Sequence, residues 1–187
     1  ENMYHKESGA YTGELSPKMI KSVGCEYAII GHSERREIFG EDDELLNLKL
    51  KAAFANDIKP ILCIGEKLEE READQHFARV KFQLEADLSG IEAEAAKDMV
   101  LAYEPLWAIG TGESATPEQA EEMVKYIRDT VAEMYDQDTA DAIRIQYGGS
   151  VKPWNVEEIM AQPNIDGALV GSASLEAESF SKIVKFK

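Results

Sequence analysis

Apolar residues along this chain gather into short runs and helical stripes. Five runs rich in aliphatic side chains, Tyr27 to Gly31, Pro60 to Gly65, Met99 to Glu104, Ile143 to Gly148 and Gly167 to Gly171, have the length of buried strands. Most are continuous rather than alternating, the pattern of strands covered on both faces, which predicts a parallel sheet under helices. Helical patterns lie between them. The clearest starts at Thr116, where Pro117 takes the first helical position and Gln119 completes a capping box. Its apolar stripe is Ala120, Met123, Val124, Ile127, Val131 and Met134, with Glu121, Glu122, Lys125 and Arg128 left for solvent. A second helix is predicted from about Asp43 to Phe54, with Leu46, Leu50, Ala53 and Phe54 inward. A third carries Phe77, Val80, Leu84 and Leu88 and stops at Gly90. Short helices follow Ser16-Pro17 and Asn155. Strand and helix repeated five times, with no linker or shift of composition, give an α/β fold and a single domain over 1–187.

Two architectures fit that order. Five strands could complete a doubly wound open sheet, but not a closed eight-stranded barrel. Against the open sheet, no Gly-x-Gly-x-x-Gly turn follows any strand, and polar or glycine-rich residues follow every strand, as around a barrel mouth.

Composition narrows the function. Of 187 residues, 20 are Lys or Arg and 36 Asp or Glu, a formal net charge of -16. An acidic surface repels phosphate backbones, so no nucleic-acid partner is expected. The longest apolar runs, such as Ile61 to Ile64, are far too short to span a bilayer, so no membrane partner is expected either. Cys25 and Cys63 form no Cys-x-x-Cys pair, which suggests reduced thiols and a cytoplasmic protein. The start, Glu1-Asn2-Met3, lacks an initiator Met at position 1 and the basic-then-apolar pattern of a signal peptide, so the chain is not expected to begin where its gene does.

Several positions could carry chemistry. His32 follows the first strand and precedes Ser33-Glu34-Arg35-Arg36, a helix start. A helix macrodipole disfavours an imidazolium there, so His32 fits either a neutral donor to a carbonyl or a plain capping residue. Glu104 ends a buried strand and is followed by Pro105. Desolvation there would raise its basicity toward that of a proton-abstracting base, while a salt-bridged rim carboxylate is the other reading. Pro105 to Gly112, apolar in its middle with small residues at its far end, has the composition of a closing lid or of an ordinary packed loop. Tyr147-Gly148-Gly149-Ser150-Val151 and Val170-Gly171-Ser172-Ala173 place glycine and serine after a strand, where free backbone N–H groups can hold an anion. Cys63 reads as a packed core thiol and Glu34 as the partner of a nearby Arg. His5 and His76 show no partner spacing, and Glu66 to Asp74 reads as a solvated helix start.

Taken together, Gly31-His32-Ser33-Glu34-Arg35-Arg36, Cys63-Ile64-Gly65-Glu66, Ala102-Tyr103-Glu104-Pro105 with Trp107 to Gly112, Tyr147 to Val151, and Leu169-Val170-Gly171 closely resemble the triosephosphate isomerase family. The resemblance extends over the whole chain, from Asn2 and Gly9 to Glu14 onward. It implies a (β/α)8 TIM barrel of which about the last five strand–helix units are present. It also implies interconversion of dihydroxyacetone phosphate and glyceraldehyde 3-phosphate, in glycolysis and gluconeogenesis. In the roles the family brings, Glu104 is the catalytic base and His32 the neutral electrophile. Pro105 to Gly112 is the lid, and the N–H groups of Gly110, Ser150, Gly171 and Ser172 bind phosphate. No cofactor and no metal are implied. The segment Asn2 to Glu14 resembles the family's loop that inserts into a partner subunit, which implies a homodimer.

The departures matter as well. In the family the first strand ends with an Asn and a Lys that bind substrate, and nothing here matches them. The chain is therefore expected to be N-terminally truncated, to represent the C-terminal three-quarters of the barrel, and to show little or no isomerase activity alone. Ser172 stands where the family has a second Gly, which would be costly if that position needs positive φ. Glu113 replaces a Lys after the lid, and Trp154 sits near a phosphate loop. Two rival readings remain. One is a non-catalytic phosphate-binding or dimer-interaction fragment. The other is a different phosphate-binding barrel enzyme, an epimerase or aldolase, for which no metal cluster or strand-end lysine is evident.

Overall fold

The computed structural model describes residues 2–109 and 114–186. Five strands, β1 (Tyr27–Ile30), β2 (Lys59–Ile64), β3 (Val100–Tyr103), β4 (Arg144–Tyr147) and β5 (Gly167–Ala168), form one sheet in chain order, and every neighbouring pair is parallel. A doubly wound sheet reverses its order at a switch point; this one never does. Each crossover advances one strand in the same direction, which is the winding of a TIM barrel and makes this sheet a partial barrel. The competition left open by strand count is decided by order.

Helices α1 (Pro17–Ser22), α2 (Ser33–Phe39), α3 (Asp43–Ala55), α4 (Leu68–Glu72), α5 (His76–Asp87), α6 (Ala93–Ala96), α7 (Pro117–Met134), α8 (Gln137–Ala142), α9 (Val156–Met160) and α10 (Ala177–Val184) complete the described elements. The core lies between helices and sheet. Leu46, Leu50 and Ala53 of α3, Val80 and Leu84 of α5, and Ala120, Met123, Val124, Ile127 and Val131 of α7 pack on Ile30, Leu62, Leu101 and Ile145. Thr116 caps α7 with the expected box, its hydroxyl accepting from the Gln119 N–H while Gln119 accepts from the Thr116 N–H.

Two side chains assigned to solvent on α7 are not there. Arg128 donates to the carbonyls of Ala140, Ile143 and Asn164 and pairs with Asp166 at 2.6 Å, and Glu121 accepts from Asn164. Both tie α7 to the chain segments leading into β4 and β5. Helical spacing assigns a face, but it cannot see a partner some 40 residues away. α4 lies in the helix start expected over Glu66 to Asp74, and α6, α8 and α10 add to the helices the pattern predicts. The expected strand over Gly167 to Gly171 pairs regularly for only two residues, with Leu169 adding one further bond to Tyr147.

Apolar side chains stand exposed near both sheet edges: Met19, Val23 and Tyr27 beside β1, and Leu175, Phe180 and Val184 beyond β5. Residues 2–16 form a projecting loop closed by the Tyr4 N–H donating to the Leu15 carbonyl at 2.8 Å. Met3 is buried beneath it, the Tyr4 and Tyr11 rings are in contact, and residues 6–13 are exposed. No helix among the described residues is long and apolar enough to cross a membrane.

Candidate functional site

The strands' C-terminal ends bring His32 and Glu104 together although they leave from β1 and β3, with β2 between. Strands two apart are separated by about 10 Å, so the side chains must reach over the intervening one. β2 makes room by being followed at once by Gly65. A Cβ there would lie 1.7 Å from the Glu104 carbonyl oxygen, so only glycine fits this close approach. The Gly65 N–H is held by the buried Gln83 side chain of α5 at 2.9 Å.

Over this gap, Nε2 of His32 stands 3.1 Å from Oε1 of Glu104. The other carboxylate oxygen accepts from the Ser33 N–H at 3.0 Å. His32 caps α2, its Nδ1 accepting from the Glu34 N–H at 3.3 Å. An Nδ1 that accepts a hydrogen bond keeps its lone pair, which leaves the proton on Nε2 and makes His32 a neutral donor. The two readings open for His32 therefore coincide, because the cap fixes the tautomer that can donate. Glu104 is 2% exposed. Burial pushes its carboxyl above the ordinary glutamate value, opposed by His32 and the Ser33 N–H. It is a desolvated carboxylate inside the site rather than an ion pair at the rim. Beside it the buried Cys63 thiol is pushed well up by burial and by the same carboxylate.

Ser150, Gly171 and Ser172 line one cavity with His32 and Glu104, of about 690 Å³. That is ample for a small phosphorylated sugar. None of the three backbone N–H groups donates to a protein acceptor among the described residues. Gly149 is required at its turn, since a Cβ would meet the hydroxyl of the buried Tyr147 at 2.1 Å. Ser172 opens a single 3-10 turn, and the only non-glycine residues with positive φ among those described are Asp57 and Asp74. The cost anticipated for serine at this position is absent. Gly110, the fourth expected phosphate ligand, lies outside the described residues, as do Thr111, Gly112 and Glu113. The described start of the segment expected to be a lid is a 3-10 turn, Leu106–Ala108.

Other expectations change. Glu66 is not solvated. It is fully buried and accepts from the Tyr103 hydroxyl at 3.0 Å and the Trp107 indole N–H at 2.9 Å, tying the residues after Pro105 to the end of β2. Glu34 is exposed, and its arginine neighbours are taken by others. Arg35 pairs with Glu41, and Arg36 with Asp43 and Asp87. Arg36 also donates to the carbonyls of Gly31 and Cys63, clamping the end of β1 to that of β2 directly beneath the site. Local sequence carries no sign of this clamp. Among the described residues no three His, Cys, Asp or Glu side chains converge as a metal-ligand set.

The family model described as Triosephosphate isomerase matches residues 1–187. The Triosephosphate isomerase of Finegoldia magna is 57% identical over 187 residues, covering all of this chain and 74% of that protein. That of Lactobacillus acidophilus is 56% identical, covering all of this chain and 74% of its own length. That of Herpetosiphon aurantiacus is also 56% identical, with 100% and 75% covered.

Proposed function

Because the chain belongs to the triosephosphate isomerase family, we propose that His32 and Glu104 are its catalytic pair for interconverting dihydroxyacetone phosphate and glyceraldehyde 3-phosphate. The single observation that carries the assignment is geometric: Nε2 of His32, whose Nδ1 accepts from the Glu34 N–H, stands 3.1 Å from the buried Glu104 carboxylate, whose basicity burial raises. One Glu104 oxygen leaves its present hydrogen bond and takes a proton from C1 of dihydroxyacetone phosphate. The Nε2–H of His32, no longer donating to Glu104, donates to the carbonyl oxygen as charge builds there. His32 gives its Nε2 proton to O2 of the enediolate and takes the O1 hydroxyl proton in its place, and Glu104 returns its proton to C2, which gives glyceraldehyde 3-phosphate and restores both the imidazole and the carboxylate.

Ser150, Gly171 and Ser172, with Gly110, hold the phosphate through backbone N–H groups, which lets a strongly acidic protein accept an anionic substrate. The lid from Pro105 shuts water out of the site. No residue matches the family's substrate-binding Asn and Lys, so this chain by itself is proposed to turn over little or no substrate, as a single domain representing three-quarters of a barrel. The protein is proposed to be cytoplasmic and homodimeric through Asn2 to Glu14.

Two measurements test the reading. Dihydroxyacetone phosphate should shift the amide resonances of Ser150, Gly171 and Ser172 and the imidazole of His32, where unphosphorylated dihydroxyacetone should not. Equal response to both compounds would remove the phosphate assignment. A coupled assay of the pure chain should show little or no net isomerisation; turnover at ordinary enzyme rates would overturn that part. The rival reading, a phosphate-binding or dimer-interaction fragment, is favoured by the apolar residues exposed at both sheet edges, and requires binding with no proton transfer at all.

A further inference from the structure

The Gly149 to Lys152 turn has a partner that none of its own residues supplies. Asn155, three residues beyond it and 6% exposed, donates from Nδ2 to the Ser150 carbonyl at 2.9 Å and accepts at Oδ1 from the Lys152 N–H at 2.7 Å. Its own backbone N–H donates to the Lys152 carbonyl at 3.2 Å. One side chain thus grips the turn at two points, using a donor and an acceptor at once. A primary amide of this length does that with its nitrogen and oxygen held apart, where a carboxylate lacks the donor and an aliphatic side chain lacks both groups. Tyr147 packs under the same turn at Gly149. Fixed from below and from behind, the turn leaves the Ser150 N–H on the wall of the cavity and without a protein acceptor among the described residues.

We propose that Asn155 is a positioning residue for substrate phosphate: by bonding the Ser150 carbonyl and the Lys152 N–H together, it sets the peptide orientation that presents the Ser150 N–H to the anion. The inference rests on the phosphate assignment made above. Without the amide the turn samples other peptide orientations, and part of the ordering cost then falls on ligand binding.

The test uses glycerol 3-phosphate, a triose-sized phosphate monoester with no carbonyl to react, titrated into the full chain and followed by amide resonances and by affinity. Asn155→Ala should weaken binding about tenfold, the scale of one or two lost hydrogen bonds. Asn47 is a matched control, because it bridges the Asp87 and Ser89 carbonyls and is absent from the cavity wall; Asn47→Ala should leave the affinity unchanged. Asn155→Asp, which keeps the acceptor and loses the donor, serves if the alanine variant does not fold. Its loss of affinity should persist at high salt, where simple charge repulsion fades. A folded Asn155→Ala protein that binds within twofold of the parent overturns the proposal, as does an aspartate variant whose affinity recovers fully in salt. If the parent chain's Ser150, Gly171 and Ser172 amides ignore the ligand, the phosphate assignment itself fails and this inference fails with it.

Discussion

Nε2 of His32 lies 3.1 Å from Oε1 of Glu104, and the imidazole is oriented from its far side by the Glu34 N–H. A helix start thereby decides which nitrogen faces the carboxylate. Nitrogen-15 spectra at neutral pH should show His32 with a protonated Nε2 and an unprotonated Nδ1. A proton on Nδ1, or on both nitrogens, would contradict the role given to His32.

The clamp beneath the site makes stability depend on pH. Burial, together with neighbouring Asp43, pushes the Asp87 carboxyl up to about 7, against the opposing pull of Arg36. A raised acid holds its proton in the folded state after the unfolded chain has released it. Its contribution is fully present below about pH 4, the unfolded carboxylate range, and is lost as pH rises through about 7. Urea unfolding of the parent and of Asp87→Asn should therefore diverge between those limits. The parent should lose on the order of 1–4 kcal/mol more than the variant as pH rises. Parallel profiles would show that Asp87 is ionised throughout.

Gly65 is the opening through which His32 and Glu104 meet. Gly65→Ala forces its Cβ against the Glu104 carbonyl, and should cost roughly 2–4 kcal/mol of stability, the upper range for single substitutions. A urea midpoint indistinguishable from the parent's would mean that the β2 and β3 ends separate freely, and that the crossing is not what sets the position of Glu104.

In the proposed homodimer the loop inserts Tyr11, which is 41% exposed and in tilted ring contact with Tyr4, into the second copy. Sedimentation should give about twice the 20.8 kDa of the chain, with Tyr11→Asp shifted toward the single-chain mass. A parent protein that sediments as one chain at every concentration would remove the homodimer. Aggregates unaffected by Tyr11→Asp would point to the exposed sheet edges as the site of association.

Much of this was legible in the chain itself, for stated reasons. The five strands follow from aliphatic runs, and α7 from a capping box and a stripe that the fold buries almost residue for residue. His32 and Glu104 stand out because each closes an apolar strand, and the one-directional strand order converts that shared position into proximity. What escaped were pairings whose partners lie far along the chain. Glu66 looked solvated amid its acidic neighbours until Tyr103 and Trp107 closed over it. Arg128 looked exposed on its helix face, yet it holds three carbonyls from the segments leading into β4 and β5. Arg36 and Asn155 carry no local mark, since their importance lies in which distant or looped-back carbonyls they reach. The concern over Ser172 failed for the opposite reason, because a family habit at that position said nothing about the φ this chain adopts.

The central claim is that Glu104 moves a proton on a triose phosphate with His32 polarising the carbonyl, and it is tested most directly by incubating dihydroxyacetone phosphate with the chain in D2O. Proton spectra then follow exchange at C1. Exchange needs only the base and the polariser, so it should proceed even where net turnover is minimal. Without the family's lysine it should be slower by about 10²- to 10³-fold than with that charge stabilisation in place. The account predicts exchange of one C1 hydrogen above the buffer rate, abolished in Glu104→Gln. Exchange that survives Glu104→Gln, or a parent chain no faster than buffer, would contradict it.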